Sequence, residues 1–178
     1  MSFLGPFHIL SYGTLLGVEI YQTFIGGVVA FRTLPRQQFS TLQNKLFPIY
    51  FTLQSALPVV AALTYPGVRT VLGRGSSSIA GVLLEENRLT VLLPLSVVFV
   101  SGLTNLLYVT PKVVEVIKQR WQQESIDGKK SYGPPPHSKE MAELNKKFGK
   151  LHGLSTLINL GGLLATVAYG VVLGMRLR

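Results

Sequence analysis

Four long apolar stretches separated by shorter polar segments dominate the pattern of this sequence. They predict membrane-spanning helices at about residues 6–31, 47–65, 89–110 and 151–175, because about 20 apolar residues in helical conformation cross the hydrocarbon of a bilayer. The last stretch is the clearest, since no Asp, Glu, Lys or Arg lies between Lys150 and Arg176. The pattern therefore predicts an all-α membrane protein, a four-transmembrane-helix bundle formed as a single domain by residues 1–178.

A short amphipathic elbow is predicted between the first and second helices. Phe39, Leu42 and Leu46 recur at a spacing of three to four residues, and Pro35 suits the first turn of a helix. Basic residues flank these apolar positions, so the elbow is expected to lie on the membrane surface with its cations at the lipid headgroups.

The third and fourth helices are predicted to continue beyond the membrane. An apolar stripe continues after Pro111, and a second stripe leads into the fourth span; they comprise Val113, Val114, Ile117 and Trp121, and then Met141, Leu144, Phe148 and Leu151. A proline-rich loop at residues 125–137 separates the two stripes. The pattern indicates an aqueous helical hairpin at about residues 111–150, in which the stripes pack on each other.

Composition and charge support a membrane protein and suggest its orientation. The chain is 47% hydrophobic and 14% charged, and its net charge of +9 comes from basic residues between the apolar stretches. This placement is typical of membrane flanks and excludes nucleic acid as an expected partner. Twelve of the 17 basic residues lie within residues 32–45 and 112–150, so the elbow and the hairpin are predicted to be cytoplasmic and both termini to lie on the other side.

The sequence has no recognisable catalytic motif. It contains no cysteine and only three histidines, without the spacing of a zinc hydrolase, a phosphate-binding loop or a nucleophile elbow. We therefore predict no catalytic residues, no metal site and no cofactor, and do not expect an enzyme.

Polar residues inside the predicted spans are the candidate site. They form an intramembrane cluster of Glu19, Gln22, Gln54, Asn105, His152, Ser155 and Asn159. Glu19 is the only carboxylate within a span, and it is expected to face the bundle interior because a carboxylate against lipid is costly. Asn105 and Asn159 are expected to satisfy each other, and His152 to hydrogen bond Gln43, Asn44 or the third helix. The cluster is either structural or a ligand site.

Three segments carry a resemblance to a known family. They are residues 32–51, with Arg-x-Leu-Pro-Arg-x-x-Phe followed by Phe-Pro-x-Tyr-Phe; residues 105–111, Asn-Leu-x-Tyr-x-x-Pro; and residues 148–160, with His-Gly-x-Ser and Asn-Leu. Together they resemble the transmembrane protein 205-like family, a domain family of unknown function. The family-motif residues are Arg32, Pro35, Arg36, Phe39, Phe47, Pro48, Tyr50, Pro111 and Gly153. The resemblance implies a four-span integral protein of eukaryotic intracellular or surface membranes, and it brings no catalytic residues.

The functional hypothesis is a non-enzymatic protein of an intracellular membrane, in the endoplasmic reticulum or secretory pathway or in a mitochondrial membrane. It would act in trafficking or membrane organisation through the lipid bilayer and protein partners at the elbow and hairpin. The alternative is a small oligomeric transporter or channel with a polar path around Glu19, Asn105 and Asn159, which would make the chain a homo-oligomer.

Overall fold

Four long helices carry most of the computed structural model, which describes residues 4–67, 69–70 and 73–176. They are α1 (Leu4–Thr33), α2 (Arg36–Leu63), α4 (Glu85–Asp127) and α5 (Lys139–Arg176), with a short α3 (Ser78–Val82) between α2 and α4. Each long helix has the length and composition to cross a membrane. Large apolar side chains such as Leu107 and Leu157 are exposed on the outside of the bundle, which is where lipid would cover them.

The predicted all-α class is confirmed, but one detail of the predicted architecture is wrong. The predicted elbow is not a separate element, because α2 runs without a break from Arg36 to Leu63 and contains Pro48. Pro35 starts this helix with an extended backbone, and residues 36–46 form its first three turns. Between α2 and α3 the chain also forms two strands of two residues each. β1 (Arg69–Thr70) pairs antiparallel with β2 (Gly73–Arg74).

The third and fourth long helices are longer than the hydrocarbon thickness of a bilayer, which is about 30 Å. With 43 residues in α4 and 38 in α5, their lengths are about 65 and 57 Å at 1.5 Å per residue. Two wide π-helical turns, Arg88–Leu92 and Asn105–Val109, lie just before Pro94 and Pro111. A proline lacks an N–H and crowds the carbonyl four residues earlier, so a widened turn lets the helix continue through it.

The bundle has two ends that differ in packing. At the hairpin end, α4 and α5 continue past the other helices, with Val116, Ile117 and Met141 buried between them. At the terminal end, where α1 begins and α5 ends, a buried cluster joins α2, α3, α4 and α5 through Ala61, Tyr65, Val82, Val91, Leu95 and Tyr169. Small residues allow close approach nearby, since a Cβ added to Gly102 would lie 2.7 Å from Ser55 Oγ.

Side-chain hydrogen bonds tie the terminal end together. The fully buried His8 of α1 contacts the Ala61 carbonyl oxygen of α2 through Nδ1 at 2.8 Å and the Tyr169 hydroxyl of α5 through Nε2 at 2.6 Å. The Arg176 guanidinium donates to the Tyr65 hydroxyl and to Asn87 Oδ1, the latter at 3.0 Å. These contacts fix the last turns of α5 against three other helices.

Candidate ligand-binding cavity

A buried polar network crosses the middle of the bundle. Gln54 Nε2 donates to Glu19 Oε1 at 2.8 Å and to Asn159 Oδ1 at 3.2 Å, which links α1, α2 and α5. The Tyr50 hydroxyl also donates to Asn159 Oδ1, at 2.6 Å, and Asn159 Nδ2 donates to Thr23 Oγ1 at 3.2 Å. Glu19 and Gln54 are fully buried, so the only carboxylate of the predicted spans lies inside the bundle.

A π-helical turn positions the α1 residues of this region. The turn covers Tyr21–Gly26 and begins directly after Ile20, next to Glu19 in the chain. Its Gln22 donates through Nε2 to Gln43 Oε1 of α2 at 3.0 Å. One extra residue per turn changes which side chains face inward, and such turns are frequent at functional sites.

Two predicted hydrogen-bonding arrangements are wrong. Asn105 does not pair with Asn159; its Oδ1 accepts from Ser155 Oγ at 2.8 Å. Ser155 lies one turn before Asn159 on α5, so a shift of one turn between α4 and α5 separates the two amides. The ring of His152 stacks on Phe148 at 5.7 Å between centroids instead of bonding Gln43, Asn44 or α4.

A large cavity opens at the hairpin end of the bundle. Its volume is about 720 Å³, and its walls come from α1, α2, α4 and α5 and from the loop after α4. Much of the wall is apolar or aromatic, including Val28, Phe47, Phe51 and Trp121. Ligand pockets are commonly 300–1,000 Å³ with mainly apolar walls, so both size and lining suit a small-molecule site.

The charged residues of the cavity wall are mostly cationic. Four cations line it against a single carboxylate: Arg32, Arg36, Arg120 and Lys130, and then Glu124. Glu124 already accepts hydrogen bonds from Ser131 and an ion pair from Lys130 at 3.3 Å. In the described part of the chain that ion pair is the only one. The three arginines therefore have no ion pair in the described part of the chain, although the Glu124 carboxylate is near enough to Arg120 to favour its charged form.

Aromatic rings hold two of these arginines in place. The Arg36 guanidinium lies 3.7 Å above the centre of the Phe31 ring, and that of Arg120 lies 4.5 Å above Phe148. Such cation–π contacts orient the planar group but use none of its N–H donors. The donors therefore stay available for an acceptor in the cavity.

Some buried polar atoms at or near the cavity lack a protein partner. Gln43 is only 5% exposed and lines the cavity, and its Nε2 has no hydrogen-bond partner among the described residues; the same holds for Arg120 Nε. Glu19 Oε2 and Gln54 Oε1, deeper in the bundle, are also unpaired within that part of the chain. A buried donor without an acceptor costs about 1–3 kcal/mol, so Gln43 Nε2 and Arg120 Nε, the two donors on the cavity wall, mark places where an acceptor of a ligand would be favourable.

The structure brings together only part of the predicted site. From the intramembrane polar cluster, the residues on the cavity wall are Gln22, His152, Ser155 and Asn159. Glu19, Gln54 and Asn105 are not among the lining residues. The family-motif residues on the wall are Arg32, Arg36, Phe39, Phe47 and Tyr50. The other four are not on the wall: Pro35 precedes α2, Pro48 lies within α2, Pro111 within α4 and Gly153 within α5.

Sequence reasoning missed some residues that matter at this site. Gln43 falls in the predicted elbow and Arg120 in the predicted hairpin, and neither of them is in the predicted intramembrane cluster, nor is Thr23. The signal that could have found Gln43 is its position seven residues before Tyr50, two turns away on the same face of one continuous helix. Among the described residues, no group of three or more His, Asp or Glu side chains is arranged to hold a metal ion.

The four apolar helices and their interior polar network define a multi-pass helical membrane bundle. The chain belongs to the family described as a domain of unknown function (DUF4149), which matches residues 10–122. It is also similar to xanthocillin biosynthesis cluster protein D of Aspergillus fumigatus, with 29% identity over 99% of this chain and 93% of that protein. No solved structure matches the chain.

Proposed function

We propose that this chain is a non-catalytic membrane protein that binds a small amphipathic molecule in the cavity at the hairpin end. The observation that carries the proposal is the cavity itself, about 720 Å³ in volume, with apolar walls and unpaired polar donors. A concave site of this size with mainly apolar walls and a few unpaired donors in the described part of the chain is typical of small-molecule binding.

The closed floor of the cavity favours a binding or carrier function over an open channel. Thr23, Tyr50 and Asn159 line the cavity and hydrogen bond to one another, and Asn159 is tied to Gln54 behind it. Glu19 lies behind Gln54, away from the cavity wall. A continuous polar path through the bundle would require this network to open, so the transporter alternative takes the form of a carrier with one accessible side.

The similarity to a protein named for a biosynthesis cluster agrees with the handling of a small molecule. From this similarity we take only the handling of a small molecule, and we propose that the present chain binds a small molecule without changing it chemically. Among the described residues of the cavity wall, no hydroxyl is hydrogen bonded to a histidine ring. The serine hydroxyl that is bonded to a carboxylate there, Ser131 on Glu124, lies in the loop after α4, where Lys130 also binds that carboxylate.

The proposed setting follows from the sequence. All four spans form one domain in an intracellular membrane, with the hairpin and the start of α2 in the cytoplasm, as the distribution of basic residues predicts. We retain the transmembrane protein 205-like grouping and homo-oligomerisation as parts of this proposal. Single cysteines replacing the exposed Ser76 and Tyr132 should label from opposite sides of sealed membranes; labelling from one side would contradict the orientation.

Binding in the cavity is tested with the only tryptophan of the chain, Trp121, which lies on its wall. A monoacylglycerol with a brominated chain is added to the purified protein, and contact with bromine quenches the fluorescence. We expect saturable quenching in the wild type. Val113→Phe, which fills part of the cavity, should weaken it several-fold.

The matched control is Val100→Phe on the same helix, because Val100 is 57% exposed and lies away from the cavity. This variant should quench like the wild type. Quenching that never saturates, or that is equal in the two variants, would exclude ligand binding in the cavity.

A second candidate function is docking of the hairpin in trafficking or membrane organisation. The observation that favours it is a set of exposed lysines on the outer surface of the hairpin, Lys118, Lys146, Lys147 and Lys150. Such a surface attracts anionic headgroups or an acidic protein. Reversing Lys146 and Lys147 to Glu should abolish co-sedimentation of protein-containing nanodiscs with phosphatidylserine vesicles; unchanged co-sedimentation would remove this candidate.

A further inference from the structure

The polar and apolar groups of the cavity wall are ordered along α2. Arg36 begins the helix, Gln43 lies seven residues further on, and Phe47 and Phe51 follow. At 1.5 Å per residue, Gln43 is about 10 Å and Phe51 about 22 Å from Arg36 along the helix axis. The wall therefore passes from a cation to a neutral donor and then to aromatic rings.

The α4 side of the cavity adds cationic charge and unpaired N–H groups. Arg120 lines the wall and lies over the Phe148 ring, and its Nε has no partner among the described residues. Glu124, the only carboxylate on the wall, is already bound by Ser131 and Lys130. An acceptor-rich anionic group would satisfy these donors, and guanidinium groups match carboxylate and phosphate geometry in particular.

Gln43 gives an independent indication of a ligand. Its side chain is 95% buried on the cavity wall, from a 5% exposed fraction, and its Oε1 already accepts from Gln22. The remaining Nε2 donor is unpaired within the described chain, so the burial is favourable only if an acceptor reaches it. A headgroup oxygen or an ester carbonyl below the anionic group would be such an acceptor.

From this order we infer that the ligand is an anionic amphiphile, with a phosphate or carboxylate at Arg36 and Arg120, an acceptor at Gln43 and an apolar chain along Phe47 and Phe51. This inference rests on the proposed function and specifies the ligand class of the same cavity. An anionic group and an apolar chain are shared by a phospholipid of the surrounding leaflet and by a free fatty acid, and the phospholipid alone of these two also offers an ester carbonyl for Gln43.

The test compares quenching of Trp121 in the purified full chain by a phosphatidate, a stearate and a phosphatidylcholine. Each probe is brominated near the carboxyl end of its chain, because Trp121 is next to Arg120 at the headgroup end. We expect one or both anionic probes to reach half-maximal quenching at about tenfold lower concentration than phosphatidylcholine, as one charge-assisted hydrogen bond would give. A preference for phosphatidate indicates a leaflet lipid, and a preference for stearate a free fatty acid.

Substitutions separate this inference from the proposed function. Arg120→Gln should remove most of the anionic preference, and Arg36→Gln serves if it fails to fold. Gln43→Leu should instead weaken quenching by phosphatidate and phosphatidylcholine alike, because both carry an ester carbonyl. Lys139→Gln removes one charge from the exposed start of α5, away from the cavity wall, and should change nothing. Equal quenching by all three probes would overturn the inference while leaving the proposed function intact, provided that Val113→Phe still weakens quenching. Loss of that Val113→Phe effect would instead contradict the proposed function.

Discussion

The two ends of the bundle solve the problem of buried polar groups in different ways. At the terminal end, His8 is bonded on both ring nitrogens, and the Arg176 side chain reaches α4 and the segment after α2. At the hairpin end, the helices leave a cavity of about 720 Å³, where Gln43 and Arg120 each keep an N–H that is unpaired among the described residues. The contrast indicates that the terminal end holds the helices together, whereas the hairpin end is shaped for something other than self-packing.

The largest difference in the free energy of unfolding is expected between a side chain added at the contact of α4 with α2 and one added near the cavity. Gly102→Val would place its Cβ 2.7 Å from Ser55 Oγ and 2.9 Å from Ser55 N, so backbone must move. We expect the free energy of unfolding in mixed micelles to fall by about 3 kcal/mol. Gly153→Val is the control near the cavity, since a Cβ there meets nothing within 4 Å. Equal losses in both variants would remove the contrast in packing.

The same Val→Phe substitution in the packed half and in the cavity wall compares how much free space each region has. Val98 is 1% exposed in the packed half, whereas Val113 lines the cavity. Val98→Phe should cost about 2 kcal/mol because the core has no room, and Val113→Phe should cost less than 1 kcal/mol. Thermal unfolding in the same detergent measures both. A larger cost for Val113→Phe would mean that the cavity closes around that side chain.

The polar network between the two ends is tested at Glu19. Glu19→Leu removes the acceptor for Gln54 Nε2 and should lower the free energy of unfolding by about 1.5 kcal/mol. Glu19→Gln keeps an acceptor oxygen at that position and should be close to the wild type. If the leucine variant were the more stable of the two, Glu19 would serve a functional step and not the stability of the bundle.

The smallest expected effect is the loss of one hydroxyl at the terminal end. Tyr169→Phe removes the contact with His8 Nε2 and should cost about 1 kcal/mol. Tyr21→Phe is the matched control, since Tyr21 is 58% exposed on the outside of α1. Parallel unfolding curves for these two variants and the wild type would show that the His8 contact adds no stability.

Local patterns in the sequence were enough to find the four helices. Apolar stretches of about 20 residues or more have few alternatives in a membrane, where each backbone group must be bonded within its own helix. The continuation of α4 past Pro111 was also predictable from the apolar stripe that follows it. The amphipathic spacing of Phe39, Leu42 and Leu46 correctly indicates a helix, but it does not show that this helix continues into the second span as one element.

The pairing of polar residues could not be predicted in the same way. Periodicity places Asn159 and Ser155 on one face of α5 but does not fix the register of α5 against α4 and α2. Because α5 is shifted by one turn from the predicted register, Asn105 hydrogen bonds Ser155, and Asn159 hydrogen bonds Tyr50 and Gln54.

The sequence by itself determined the class of protein, the helices and the need to bury Glu19, since these depend on hydrophobicity and the cost of charge in lipid. Only the tertiary structure decided where a cavity lies and which donors face it. Arg36, Gln43 and Arg120 reach one space because α2 and the extended α4 leave a gap at the hairpin end. Such a gap depends on the packing of helices distant in the chain, and no local pattern of residues encodes it.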